Sequence, residues 1–353
     1  MEGSLTLQNL MLALFVVLVL VMVLIAGLLI FSYFKYKTIN NRQQWLEIIE
    51  DKITRTIVDG YQTTHEDEKL HKLLNNKKFR LLFLESLVAS TRRFAGSATE
   101  ELLKLFHQLD LKQDALNKLN KRKSIHHISD GIQELTAMKT QEVLPEIQSF
   151  LNNPNPQIYQ EAQYAMVILK GFDGLKFLNT LSHPLSDWQQ MRILETIKTV
   201  PQEKKSAFVN WLHSSNVTVV EFALRLIRKM QMLEFYKDAE KLLYHPATKV
   251  RVQVIKTLQA LENENTAILL TTIYKQEELM VQKEILKVLK ISKNKKSDDF
   301  FKDQLLHHPS SQIKMIAAEA LSEIGENQYL HSLKNSTDTP VPLIVKHVLQ
   351  EKI

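Results

Sequence analysis

Few residues in this chain are of a type and spacing that could do covalent chemistry. His65-Glu66-Asp67-Glu68-Lys69 opens like the helix of a zinc protease, in which two histidines four residues apart face one metal, but Lys69 stands where the second histidine is needed. The absence of cysteine excludes thiol nucleophiles and thiolate metal sites. None of the eight glycines falls in a Gly-x-Gly-x-x-Gly, Walker or Gly-x-Ser-x-Gly arrangement, so there is neither a phosphate cradle nor a nucleophile elbow. Gly171-Phe172-Asp173-Gly174 reads as a turn. His183, His245 and His308 each precede a proline but stand far apart in the chain, and His126 and His127 point about 100° apart on a helix. The expectation is no catalytic residue, no metal, no cofactor and no enzyme.

What remains is charge. Arg225 and Arg228, then Lys256, then Lys283, Lys287 and Lys290 form three groups of cations, and whether they share a surface depends on the elements that carry them. Net charge is +6, or +7 from Lys35 onward because Glu2 is the one charge before it. Lys outnumbers Arg 35 to 10, which weakens any case for guanine readout by bidentate arginine.

From Gly3 to Phe34 the chain has no charged residue, and Met11 to Phe34 is apolar almost throughout. A helix of that length crosses the roughly 30 Å hydrocarbon layer. A cleaved signal peptide would want a basic n-region, and Glu2 stands there with no Lys or Arg in the first ten residues. Lys35, Lys37 and Arg42, among Tyr33, Phe34 and Tyr36, form an interfacial collar. The positive-inside rule then puts the C-terminal part in the cytoplasm. Trp45, Ile48, Ile49, Ile53 and Ile57 continue as an amphipathic stripe, so residues 38–58 are expected to be a helix continuing from the bilayer or lying near it.

An apolar or small residue at offsets zero, four and eight recurs at Ile158, Ala162, Met166; Val219, Ala223, Ile227; Val250, Val254, Leu258; Val281, Ile285, Leu289; and Ile313, Ala317, Leu321. A degenerate copy is anchored on Trp188, with Ile193 and Ile197 one place late, and anchor spacings are then 30, 31, 31, 31 and 32 residues. An apolar helix precedes each anchor, and the His-Pro turns, with Asn153-Pro154, separate the two, because proline can open a helix but not continue one. A histidine there suits the negative end of the preceding helix. Trp188 and Trp211 are expected in the core. Phe79, Phe83 and Leu87 form a stripe out of register, Leu111, Ala115, Leu119 and Ile128, Ile132, Leu135 bring the chain into it, and Val341, Val345 and Leu349 make a terminal cap.

Paired helices of this period resemble HEAT repeats, in the short form common among bacterial proteins, over residues 111–353. The expected fold is all-α: an α-solenoid of HEAT-like hairpins preceded by one transmembrane helix. The divisions are a short extracytoplasmic N-terminus (1–10), the span (11–34), a juxtamembrane helix and loop (35–75), capping helices (76–110) and the repeats (111–353). Offsets two, six and nine on each second helix read Glu221, Arg225, Arg228; Val252, Lys256, Gln259; and Lys283, Lys287, Lys290. In HEAT-like stacks that side lines the groove, so Arg225, Arg228, Lys256, Lys283, Lys287 and Lys290 are the expected contacts for a protein partner with an acidic segment. Lys121-Arg122-Lys123, with Lys118 nearby, either face lipid headgroups or join two helices. The resemblance implies a single-pass protein of the bacterial inner membrane, its C-terminal domain cytoplasmic, acting as a non-catalytic scaffold, with membrane polysaccharide or transport machinery as a client. Nucleic acid is not an expected partner. The alternatives are a HEAT-fold enzyme or nucleic-acid binder, by analogy with DNA glycosylases and bilin lyases, and a passive spacer.

Overall fold

The computed structural model describes residues 7–60, 67–120, 124–261, 263, 265–293, 297–336 and 340–350, and the regular elements among them are all helical. His65, Glu66 and the Lys121-Arg122-Lys123 cluster lie outside the described residues. The chain divides into two units, Met1–Ala165 and Met166–Ile353.

The first unit begins with α1 (Leu7–Asp59), one unbroken helix of 53 residues and so roughly 80 Å long. Every side chain from Leu10 to Tyr33 is exposed. Further along, Ile49 and Ile53 are buried, Trp45 and Ile57 are half-buried and Ile48 is exposed, because that stripe packs on α3 (Lys77–Thr91) and α4 (Ser97–Gln108). One helix is therefore bare at one end and embedded in a core at the other. A short α2 (Asp67–Leu74) leads into α3, whose first turn is capped by the Asn76 carboxamide accepting the Lys78 N–H at 2.9 Å. Phe79, Phe83 and Leu87 on α3 are fully buried, with Trp45 edge-on to Phe79 at 5.7 Å. After α4 come α5 (Lys112–Lys118), α6 (Ile125–Ala137), α7 (Leu144–Gln148) and α8 (Pro156–Lys170), which crosses the division between the units. Leu111, Ala115, Leu119, Ile128, Ile132 and Leu135 are all buried. Gly131 lets α5 and α6 touch: a Cβ there would lie 2.9 Å from the Lys118 Cβ and 3.0 Å from the Ala115 carbonyl oxygen.

The second unit repeats a helical hairpin. After a 3-10 stretch (Gly171–Thr180) come α9 (Asp187–Thr196), α10 (Ser206–Leu212), α11 (Val217–Lys229), α12 (Tyr236–Lys241), α13 (Thr248–Ala260), α14 (Thr266–Ile273), α15 (Leu279–Ser292), α16 (Asp298–His307), α17 (Ser311–Glu323), α18 (Asn327–Ser332) and α19 (Val341–Gln350). Each longer helix packs on the next, α11 on α13, α13 on α15, α15 on α17 and α17 on α19. All five regular triplets of offsets zero, four and eight are buried, as is the Val341 and Val345 pair of α19.

The hairpin is closed by two recurrent devices. Lys139, Gly171, Gln231, Lys293 and Gly325 hold positive φ just past α6, α8, α11, α15 and α17. The chain then turns so that the N–H three places beyond the helix reaches back five residues, as in Thr140 to the Leu135 oxygen (3.1 Å), Met232 to Ile227 (3.1 Å) and Glu326 to Leu321 (2.9 Å). In the inner turn one side chain accepts the N–H two residues ahead: Asn153 from Asn155 (2.9 Å), Ser214 from Asn216 (3.2 Å), His245 Nδ1 from Ala247 (3.1 Å) and His308 Nδ1 from Ser310 (3.0 Å). His245 and His308, in two of the His-Pro pairs, thus serve as acceptors that open the second helix rather than close the first.

The Trp188 copy departs from its expected register. Trp188 is 71% exposed, while Gln189, Gln190, Ile193 and Ile197 are buried. The helix ends at Thr196, shortly before Pro201, and the apolar residues one place late win the core. Trp211 does lie in the core: it is buried among Phe172 and Phe208 and its indole N–H donates to Asn179 Oδ1 at 2.8 Å.

Candidate functional site

The structure brings the six cations of the second unit onto adjoining helices but sets acids from neighbouring helices against three of them. Arg225 on α11 pairs with Asp187 on α9 at 2.5 Å. Lys256 on α13 lies 3.7 Å from Glu284 on α15, and Lys290 on α15 contacts Glu319 at 2.6 Å and Glu323 at 3.2 Å on α17. Lys283 donates to Gln312. Burial and the charge of Arg225 hold the Arg228 guanidinium below its usual basicity, and it has no ion pair among the described residues. Burial opposes the charge of Lys290, yet its two glutamates keep its ammonium above the usual lysine value. Lys287 is exposed, while Glu221 and Val252, which share the same offsets, are buried. Of a strip that reads as basic along single helices, half, Arg225, Lys256 and Lys290, is matched by carboxylates once the helices stack.

At the α9 end of the strip lies a buried polar group. Glu221 is a turn from Arg225, and burial raises its carboxyl above the ordinary range, against the pull of Arg225. Glu221 Oε1, Arg225 Nε, Gln190 Oε1 and, on α13, Gln253 Oε1 all lack a hydrogen-bond partner among the described residues. Unmet polar atoms of this kind mark places where water or a ligand enters.

A second site was not visible as such in the sequence. In the first unit a cleft of about 910 Å³ runs along α3, flanked by α1 at Asn41, Arg42 and Trp45 and by α6 at Asp130, Gln133 and Glu134. Lys118 pairs with Glu134 at 2.5 Å, both largely buried. Burial raises the Glu134 carboxyl, Lys118 lowers it, and Asp130 and Glu85 raise it further. Its Oε2 has no partner among the described residues. Arg92 donates to Gln133 at 3.2 Å across the far end. The signal in the sequence was Lys78, Glu85 and Arg92, seven residues apart and so on one side of a helix.

No family model matches the chain, and no curated protein matches it. Among solved structures it is similar to the complex of CpcE and CpcF of phycocyanin lyase from a Nostoc species, at 12% identity over 86% of this chain and 94% of that one, with a TM-score of 0.26. It is also similar to human deoxyhypusine hydroxylase in complex with glycerol, at 12% identity over 76% and 94%, TM-score 0.29, and to an engineered protein, at 14% identity over 68% and 95%, TM-score 0.23. Likenesses this remote carry no assignment of activity. They do correct one expectation: with a lyase and a hydroxylase among the similar structures, the chain cannot be classed as a non-enzyme by its architecture, and that exclusion is withdrawn.

Proposed function

We propose that the protein is a membrane-anchored scaffold, in which α1 spans the bilayer over residues 11–34 and holds the helical repeats at the cytoplasmic face, where the helices α11, α13 and α15 receive a partner protein. The observation that carries this reading is α1 itself: bare from Leu10 to Tyr33, then fixed in a core by Ile49 and Ile53. Keeping an aliphatic or aromatic side chain in water rather than in an apolar medium costs about 1.5–3 kcal/mol, so such a run calls for a bilayer. Because the helix is continuous, the span and the first unit move as one body, and tethering concentrates even weak partners. Arg228 and Lys287, which have neither an ion pair nor a hydrogen bond among the described residues, and Lys283, which donates only to the neutral Gln312, are the first points of contact for an acidic segment.

The test is extraction of cell membranes with alkaline carbonate. The full chain is expected in the pellet, and a chain lacking residues 1–34 in the supernatant; retention of the shortened chain in the pellet would overturn the anchor. Charge reversal at Lys256, Lys283 and Lys287 is expected to abolish capture of neighbours identified by proximity labelling, and unchanged capture would remove the strip from the reading.

A second reading, catalysis on the repeat face, is favoured by Glu221, a buried carboxyl raised above its ordinary range beside Arg225. A Glu221→Gln chain that keeps its melting temperature but loses a turnover seen in the parent would support it; equal turnover in both chains would refute it.

A further inference from the structure

The cleft of the first unit runs along α3 between α1 and α6. On α3 the residues facing it are Lys78, Leu81, Leu82, Glu85, Val88, Ala89 and Arg92, an i, i+3, i+4, i+7 series repeated over two heptads. They occupy an arc of about 120°, on the side of α3 away from Phe79, Phe83 and Leu87, which face the core. The series has a seven-residue period: charges run down the middle of the face, basic, acidic, basic, with Leu81 and Val88 on one side of them and Leu82 and Ala89 on the other. Lys78 and Glu85 have no ion pair among the described residues, and α1 and α6 wall the seat on either side.

At the centre of the cleft acids outnumber cations. Glu85 and Asp130 both lie close enough to act on Glu134, whose ion pair is with Lys118. Glu134 is 7% exposed, so its unpartnered Oε2 is a buried acceptor in the wall of the cleft. A cationic side chain placed there would balance the excess of acids. The aliphatic side chains that flank Glu85 suit the stem of lysine or arginine, which buries its methylenes while its head stays polar. The seat also has a defined entrance. It begins at Asn41 and Arg42, only about 12 Å along α1 from Phe34, so a segment leaving the bilayer beside α1 enters it directly.

We propose that this cleft docks an amphipathic helix, the cytoplasmic continuation of a neighbouring membrane span, whose face carries acidic, basic and acidic residues at successive seven-residue steps: acids against Lys78 and Arg92, and the base against Glu85, Asp130 and Glu134. The source of the helix rests on the membrane reading above; the charge pattern of the seat does not.

The test uses the full chain in lipid nanodiscs and two synthetic helical peptides with the same leucine seam, one with Glu, Lys and Glu at seven-residue steps and the other with Lys, Glu and Lys. Titration calorimetry is expected to show the first binding at least tenfold more tightly than the second, with spermine binding more weakly than the first peptide. Glu85 is exposed, so Glu85→Lys is expected to leave the melting temperature unchanged while narrowing the preference for the first peptide at least threefold, because Lys78 and Arg92 still favour its two acids. Equal binding of both peptides, no binding of either, spermine as tight as the first peptide, or an unchanged preference in Glu85→Lys would overturn the proposal. Failure of the anchor would show instead in the carbonate extraction, whatever the peptides do.

Discussion

At the scale of single residues, the inner turn of each hairpin needs only an acceptor. Asn153, Ser214, His245 and His308 supply it with different chemistry, and histidine alone among them titrates. His308 takes the Ser310 N–H on Nδ1 and turns Nε2 to Gln282 Oε1 at 3.2 Å, so it is held neutral, and burial lowers its pKa below the ordinary imidazole value, with the charge of Lys314 acting in the same direction. A folded-state pKa below the unfolded one means that the unfolded chain takes up the proton first, so this stability is present above about pH 6.5 and lost as pH falls from there. His308→Asn is expected to keep the bond and remove that loss: melting temperatures of the two chains should diverge below about pH 6.5, and parallel curves would refute the role. Gly174 is a second point of this kind. A Cβ there would fall 2.2 Å from the Met166 carbonyl oxygen, a backbone atom that cannot yield alone, so Gly174→Ala is expected to cost about 3 kcal/mol in denaturant unfolding. A cost below about 1 kcal/mol would show that the contact relaxes freely.

At the scale of elements, the recurrent left-handed residue after the second helices sets where each hairpin ends. Gly171 and Gly325 take that conformation without penalty, whereas Gln231 at φ 48° and Lys293 at φ 49° do so with a Cβ. Gln231→Gly is therefore expected to raise stability by about 1 kcal/mol, read as a higher melting temperature; a fall would mean that chain entropy outweighs the relief of strain. The stripe and its period were legible in the sequence because burial along one helix repeats every 3.6 residues whatever the neighbours are. Trp188 was not, because a helix that stops at Thr196 lets Ile193 and Ile197 set its face, and where a helix stops is decided partly by what it packs on.

At the scale of the whole molecule, the charge that reaches a partner is what stacking leaves over. Duplex DNA binding needs several cations free to displace counterions, and here Arg225, Lys256 and Lys290 already face carboxylates. Fluorescence anisotropy with a labelled duplex at about 50 mM salt is expected to show no saturable binding. Tight binding with a steep salt dependence would restore the nucleic-acid alternative.

By itself the sequence determined the apolar run, the helical period, the buried triplets and the absence of cysteine, because these are properties of one helix face or of composition. Only the tertiary structure decided what those faces meet. The partners of the basic strip lie on other helices, as Asp187 does for Arg225 and Glu319 for Lys290, and the seat on α3 exists because α6 brings Asp130 and Glu134 to Glu85. Charges and cavities are set by neighbours about thirty or more residues away, and one-dimensional periodicity holds no record of which neighbour arrives.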